Sequence, residues 1–294
     1  MHPIGRFEYQ APESLDEALS LLDRQDQSRI LAGGTDLIVQ MKNGQSNTSI
    51  VVDVKRIPEL NRLEWNEGES LYIGAAVPLS RLLTFSPMIE SFDILAQGCS
   101  VIGSMQIRNR ATMGGNVCNA APSADTPPPL LCLEAKAVVA SHNRIRKIPL
   151  EDFFLAPGKT VLEQSELLVE IEIPAPLTSS AGCYLRHTPR EEMDIVVAGV
   201  ASFLVLAPGG QTLQDARIAL GAVAPTPIRA RKAETILIGR APSQEVIKEA
   251  AEQAAEATHP ISDVRASAEY RRELVKVLTR RTLKRACEAL GIEL

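Results

Sequence analysis

The sequence predicts an α+β protein: two small α/β units followed by a C-terminal domain in which strands precede helices. Three observations carry this prediction. Helical and strand-like apolar patterns interchange over residues 1–55 and again over 56–176, the run Pro174-Ala175-Pro176 breaks the chain, and residues 177–294 place their strands first and their helices last.

In the first unit, Ser14 followed by Glu17 makes a capping box, and Leu15, Ala18, Leu19 and Leu22 form an apolar stripe at helical spacing. A short strand over 29–31 runs into the pair Gly33-Gly34. Residues 36–42 read as a helix that Gly44 ends, and 49–54 (SIVVDV) carry the β-branched enrichment of a buried strand.

The second unit opens with a strand over 71–76 and continues with helical patterns over 79–85 and 89–100. A second pair, Gly114-Gly115, follows. Asp125 then reads as the N-cap of a helix whose first turn holds Pro127, Pro128 and Pro129, where missing N–H groups cost little. Strands over 137–140 and 167–173 close the unit. Trp65 is expected to pack at a strand edge.

Beyond the proline stop, strands are expected over 183–187, 195–206 and 216–223, with a turn at Pro208-Gly209-Gly210. Helices follow over 229–238, 243–257 and 268–290. Leu274, Val277, Leu278, Leu283, Ala286, Cys287 and Leu290 can form the buried face of the last.

Composition narrows the function. With 294 residues, 45% hydrophobic and 23% charged, the chain can bury a sizeable ligand. Its 31 basic and 36 acidic residues are mixed along the sequence and leave a net charge of -5, so no basic field recruits nucleic acid or anionic lipid. No apolar run approaches the roughly 20 residues of a membrane span, and the start shows no charged-then-apolar leader, so a cytoplasmic location is expected. Cys99, Cys118, Cys132, Cys183 and Cys287 lack C-x-x-C spacing, which argues for reduced, mostly buried thiols and against an iron–sulfur cluster held by this chain. Cys118 and Cys132 read as small core residues. His2, His142, His187 and His259 are scattered, so no metal site is expected, and His187 reads as a packing histidine.

The two glycine pairs are the chemical signal. Each is expected on a strand-to-helix turn, where glycine lets main-chain N–H groups approach an anion and the helix dipole assists. Two such turns can hold the two phosphates of one dinucleotide. Asn116, Asn119, Ser123 and Asp125, close after the second pair, supply donors and acceptors for a pyrophosphate and a ribose diol. Neither pair fits the Rossmann or P-loop spacing. Arg108 and Arg110 can supply charge for the phosphates, or Arg108 can pair with a carboxylate to fix the loop; the sequence leaves both open.

Taken together, AGGTDL (32–37), QIRN (106–109), TMGGNVCNAAPSAD (112–125) and MDI (193–195) resemble the FAD-binding medium subunit of the molybdenum hydroxylases. Continued through PGK (157–159), ELLVEIEIP (166–174) and GAVAPTPIRA (221–230), the likeness runs over nearly the whole chain and is greatest to the separate FAD subunit of bacterial xanthine dehydrogenases. It implies a vanillyl-alcohol-oxidase-like (PCMH-type) FAD fold of two subdomains, completed by the C-terminal α+β domain. It also implies non-covalent FAD, with a molybdenum cofactor in a large partner subunit and [2Fe-2S] clusters in a small one. NAD+ or another acceptor would take the electrons.

Carried over by position, the resemblance implies that Ala32, Gly33, Gly34, Thr35 and Asp36 line one side of the FAD phosphates and that Thr112, Gly114, Gly115 and Asn116 hold the other. Asp125 would accept from the ribose hydroxyls, Leu168 would pack on the adenine, Arg186 would approach the flavin, and Asp194 would fix the loop beside it. Arg186 departs from the family's more usual lysine; it keeps the charge but changes the hydrogen bonding. The cysteine-bearing insertion of some reductase relatives is absent. A carbon monoxide, aldehyde or N-heteroaromatic dehydrogenase subunit is the alternative within the family. Outside it stand a free-standing FAD oxidoreductase and a non-catalytic nucleotide-binding module. The first would need acid–base residues in a substrate cap, where only Tyr184 and His187 offer themselves.

Overall fold

The computed structural model describes residues 4–23, 27–46 and 48–294, so His2 lies outside the described residues. Strands Glu8–Gln10, Ile50–Asp53 and Ser28–Leu31 form a parallel sheet in that spatial order. Parallel neighbours need crossover connections, which helices Leu15–Asp23 and Leu37–Lys42 supply. The middle strand, Ile-Val-Val-Asp, is buried at every position, as a strand covered on both faces must be. The edge strand Glu8–Gln10 carries no apolar alternation and gave no sequence signal. At the first helix Ser14 Oγ accepts from the Glu17 amide at 3.3 Å, while Glu17 reaches back to the Glu13 amide at 3.0 Å, one residue beyond a standard capping box.

The second sheet runs Leu63–Asn66, Ser70–Gly74, Leu167–Pro174, Lys136–Ser141, Arg144–Pro149, antiparallel throughout. The interchange of patterns predicted an α/β unit; hairpin connections rather than helical crossovers pair its outer strands. Two of these strands, Leu63–Asn66 and Arg144–Pro149, are polar edges that the apolar pattern missed. The helical stretch after the second strand divides into Leu79–Leu82, Ser86–Ser91 and Asp93–Ser100. Phe92 sits fully buried at the last break, with the edge-strand Trp65 ring 5.1 Å away at 86°.

The third sheet is antiparallel, in the order Ser180–His187, Ala198–Leu206, Leu213–Gly221, Ile228–Arg229. Its central strand starts three residues later than expected, because residues 188–197 form a loop. Alternation along this strand joins two cores. Ala201, Phe203 and Val205 face the core shared with the first two units, whereas Ala198, Val200 and Leu204 face helices Arg231–Leu237, Gln244–Glu256 and Ala268–Ala289. Each large apolar side chain fully buried here contributes about 1.5–3 kcal/mol. The last helix also buries Arg271, Thr279 and Thr282, while Leu274, Val277 and Leu290 are only half-buried. Arg271 donates to the Val197 and Ala222 carbonyls at 2.6 and 3.2 Å, and Thr282 shares a 2.7 Å hydrogen bond with Ser202. Among the described residues no helix is long and apolar enough to cross a membrane.

Candidate functional site

A cavity of about 950 Å³, near the top of the roughly 300–1,000 Å³ range of ligand clefts, opens where the two glycine segments meet. The first segment is the expected strand-to-helix turn. Strand Ser28–Leu31 ends, Gly34 takes a φ of 73°, and helix Leu37–Lys42 begins. Glycine tolerates that φ at little steric cost. Among the described residues, the amides of Gly33, Gly34, Thr35 and Asp36 have no protein acceptor, and all four residues line the cavity beside Ala32. Burial raises the Asp36 carboxyl above its ordinary range.

The second segment differs from the expected turn. Helix Met105–Arg108 precedes it, and both glycines lie inside the first turn of helix Met113–Asn119, capped by Thr112 Oγ1 accepting from the Gly115 amide at 2.9 Å. A β-carbon on Gly114 would come within 2.6 Å of the Ala75 α-carbon, so this glycine is needed for packing against the end of strand Ser70–Gly74. Gly115 has a different role. Its β-position meets only Thr112 Oγ1, at 3.0 Å, and otherwise faces open space. Thr112, Gly114, Gly115, Asn116, Asn119 and Ser123 all line the cavity. Asn116 Oδ1 accepts from Thr126 at 2.6 Å, and Asn119 accepts from Gln40 at 3.4 Å, which ties the two segments together.

Leu168, from the third strand of the second sheet, lines the cavity too, as do Met193, Asp194 and Ile195 from the loop at the edge of the third sheet. Asp194 accepts from the Arg190 and Ile195 amides at 3.0 and 2.8 Å, so the loop is folded around its carboxylate. The Arg190 side chain and these amides hold that carboxyl below the usual range. Met193 has a φ of 54°, an uncommon conformation for a side-chain-bearing residue.

Two expected residues do not reach the cavity. Asp125 accepts from Tyr184 at 2.7 Å and from Arg186 at 2.9 Å, and both charged side chains are below 10% exposed. Their charges meet each other, and neither residue is among those that line the cavity, although the neighbouring Ser123 and Ala124 are. Burial pushes the Asp125 carboxyl up to about 6 against the pull of Arg186 and Tyr184. Asp125 is not the N-cap either. Thr126 holds that position, without a side-chain cap bond, before helix Pro127–Cys132. Arg108 donates to the Ile102 backbone carbonyl at 3.0 Å, a loop contact in place of the carboxylate pairing that the sequence offered. His187 stacks edge-on with Tyr270 at 6.0 Å, and Cys132 is fully buried.

The sequence reading missed Gln40, Ile102, Ile107, Leu162 and Glu166, which also line the cavity. Ile107 and Glu166 lie inside the segments QIRN and ELLVEIEIP, and Gln40 has a signal of its own. Gln40 lies one helical turn after Asp36 and so shares its face.

Residues 5–176 match the family model of the FAD-binding domain in molybdopterin dehydrogenase, and residues 184–286 match that of the CO dehydrogenase flavoprotein C-terminal domain. The chain belongs to the FAD-binding subunits of the molybdenum hydroxylases. It is 33% identical to the xanthine dehydrogenase FAD-binding subunit of Escherichia coli O157:H7 and 34% identical to the carbon monoxide dehydrogenase medium chain of Hydrogenophaga pseudoflava, in each case over 96% of this chain and 97% of the relative. The solved carbon monoxide dehydrogenase from Hydrogenophaga pseudoflava superposes with a TM-score of 0.93 at 32% identity, covering 98% of this chain and 99% of that one. Quinoline 2-oxidoreductase from Pseudomonas putida 86 gives 0.91 at 30%, covering 98% and 99%.

The residues present fit an FAD. Amides without acceptors among the described residues stand at the first segment, the β-position of Gly115 meets only Thr112 Oγ1, and hydroxyl and amide side chains converge on a cavity of dinucleotide size. As a subunit of this family the protein is an oxidoreductase component.

Proposed function

We propose that the cavity holds one non-covalent FAD, with its pyrophosphate between the two glycine segments. The observation that carries this reading is the convergence of both segments on one cavity whose first segment has four amides without acceptors among the described residues. Residues 32–36 offer those amides to one phosphate, and Thr112, Gly114, Gly115 and Asn116 serve the other. Asn119 and Ser123 bind sugar hydroxyls, and Leu168 packs on the adenine. The loop held by Asp194 closes over the flavin end. Asp125 and Arg186 brace the wall.

In this reading the chain is the electron-transfer subunit of a heteromer, with the molybdenum cofactor in a large partner, [2Fe-2S] clusters in a small one, and cytoplasmic location. Flavin accepts electrons one at a time and releases two together as hydride, to NAD+ or another acceptor. The chain's own residues bind, orient and enclose. Among the described residues no cluster of His, Cys, Asp or Glu could hold a metal. A xanthine-dehydrogenase-like complex acting on a purine is the reading the sequence motifs favour. The 34% identity to a carbon monoxide dehydrogenase medium chain supports carbon monoxide as the second candidate substrate.

The test is to purify the complex through a tag on this chain, identify the flavin released on denaturation, and assay the complex with xanthine, carbon monoxide, aldehydes and N-heteroaromatics, each with and without NAD+. Expected are one FAD per chain and xanthine-dependent NAD+ reduction. FMN in place of FAD, or iron remaining with the separated chain, refutes the site. Turnover of another substrate alone refutes the purine assignment.

A further inference from the structure

Beyond the glycine segments, the cavity is also lined by the stretch of chain between PGK (157–159) and ELLVEIEIP (166–174). Residues 158–168 lead from a hairpin to Leu168, and Leu162 and Glu166 line the cavity on the way. This segment has no regular structure between strands Lys159–Thr160 and Leu167–Pro174, yet the Glu166 side chain is 1% exposed. Arg146, from the polar edge strand Arg144–Pro149, forks onto it. Arg146 Nε donates to Glu166 Oε1 at 2.8 Å and Nη2 to Oε2 at 2.6 Å. The same Nη2 reaches the Val161 carbonyl at 3.0 Å. Glu166 Oε2 also accepts from the Glu163 amide at 2.9 Å, and Arg144 adds a bond to Oε1 at 3.3 Å.

A buried carboxylate beside an anionic ligand would repel it, and one without partners would not remain buried as a charge. The two arginines neutralise it, and the bidentate geometry of Arg146 fixes both the direction of the carboxylate and the path of residues 161–166. Burial acts to raise the Glu166 carboxyl, but the Arg146 bonds and the Glu163 amide hold it below its ordinary range, so the pair stays ionised near neutrality. At its other end the segment is pinned by the Gly158 amide, which donates to the Ala120 carbonyl at 3.0 Å just past the second glycine helix.

We infer that the Arg146–Glu166 pair is a positioning clamp for the nucleotide half of the ligand: it shapes the end of the cavity that receives the adenosine monophosphate moiety and so selects dinucleotide over mononucleotide flavin. This rests on the placement of adenine at Leu168 proposed above. Neither residue needs to touch the ligand. The clamp acts by holding Leu162 and Leu168 at a fixed separation around the base.

The test uses the full chain stripped of flavin and titrated with FAD, ADP and FMN, for the wild type, Glu166→Gln, Arg146→Lys and the double variant. Glu166→Gln is expected to weaken FAD and ADP tenfold or more while FMN affinity stays within twofold. Arg146→Lys keeps the charge but loses the fork and gives a smaller loss in the same direction. The double variant should be no worse than the poorer single one, because both remove one interaction. Equal loss of FAD and FMN would show a general folding role and overturn the clamp, as would unchanged FAD affinity in both single variants. If Glu166→Gln does not fold, Arg146→Lys decides by the same ratio of FAD to FMN loss. A wild-type chain that takes up neither FAD nor ADP overturns the cavity assignment itself and the clamp with it.

Discussion

Gly33 lies so close to Ala111 that a β-carbon on the glycine would stand 2.8 Å from the Ala111 α-carbon, and closer still to the Arg110 carbonyl oxygen. The first glycine segment is thereby pressed against the residues that lead into the second, which is how segments distant in sequence come to share one cavity. Backbone cannot retreat as a flexible side chain can. Gly33→Ala should therefore cost about 1–3 kcal/mol by overpacking. It should also part the two segments, so that FAD is lost from a chain that still folds. Thermal melting and flavin content of the purified variant check this, with Gly5→Ala, where a β-carbon meets nothing within 4 Å, as the control. Unchanged flavin content in Gly33→Ala would show that the close approach is incidental.

The Asp125–Arg186 pair should behave as a buried structural ion pair. Asp125→Ala strands Arg186, and Tyr184, without a carboxylate partner. Removing one member of such a pair costs about 3–5 kcal/mol. The loss should appear as reduced stability in denaturant melts of the flavin-free chain, before any ligand is added. The pH dependence has a definite sign. Because the folded-state pKa of Asp125 is raised, to about 6, its contribution to stability is fully present below the unfolded value and is lost as pH rises from about 4 through 6. Asp125→Asn should remove that part of the slope. An identical slope in the two proteins contradicts the raised pKa.

Sequence alone showed the parts that one chain segment determines. The helix capped at Ser14, the buried strand Ile50–Asp53 and the long helix Ala268–Ala289 are local patterns, and so are the two glycine pairs. What it could not show depends on meetings between segments. The edge strands Glu8–Gln10 and Arg144–Pro149 carry polar residues on solvated faces, so no apolar period marks them. The fate of the Asp125 charge was hidden for the same reason: its partners Tyr184 and Arg186 are some sixty positions further along, on strand Ser180–His187. Gly114 shows the limit of motif reading most plainly, since its tight packing against Ala75, nearly forty positions earlier, has no mark in the motif.

The cysteines should be unreactive in the native protein. Burial pushes Cys118 and Cys132 up to about 12 and Cys287 up to about 11, and raises Cys99 and Cys183 as well. The thiolate is the reactive form, so at pH 8 a thiol with a pKa near 12 exposes only about one part in ten thousand to attack. Iodoacetamide at pH 8 should leave the native chain unmodified over the time that labels all five cysteines in denaturant, as read by mass spectrometry. Rapid native labelling of Cys118, which lines the cavity, would show that the wall there opens to solvent.

Gly115 separates ligand binding from folding. It has ordinary helical backbone, its β-position meets only Thr112 Oγ1, and it lies in the first turn of helix Met113–Asn119, where alanine is favoured over glycine by up to about 1 kcal/mol. Against this, Thr112 Oγ1 must give by a few tenths of an ångström, so Gly115→Ala should leave the melting temperature of the flavin-free chain close to that of the wild type. The open space it fills is the cavity itself. FAD affinity should then fall tenfold or more, equivalent to about 1.4 kcal/mol or more, because the added methyl occupies the approach of the phosphates to the amides. Lost affinity at nearly unchanged stability is what a packing role cannot reproduce, for a glycine required by the fold loses stability and ligand together. Calorimetric titration with FAD beside melting of the flavin-free protein supplies both numbers. A variant that binds FAD as tightly as wild type places the phosphates elsewhere, whereas one that melts several degrees lower assigns Gly115 to packing, alongside Gly33 and Gly114.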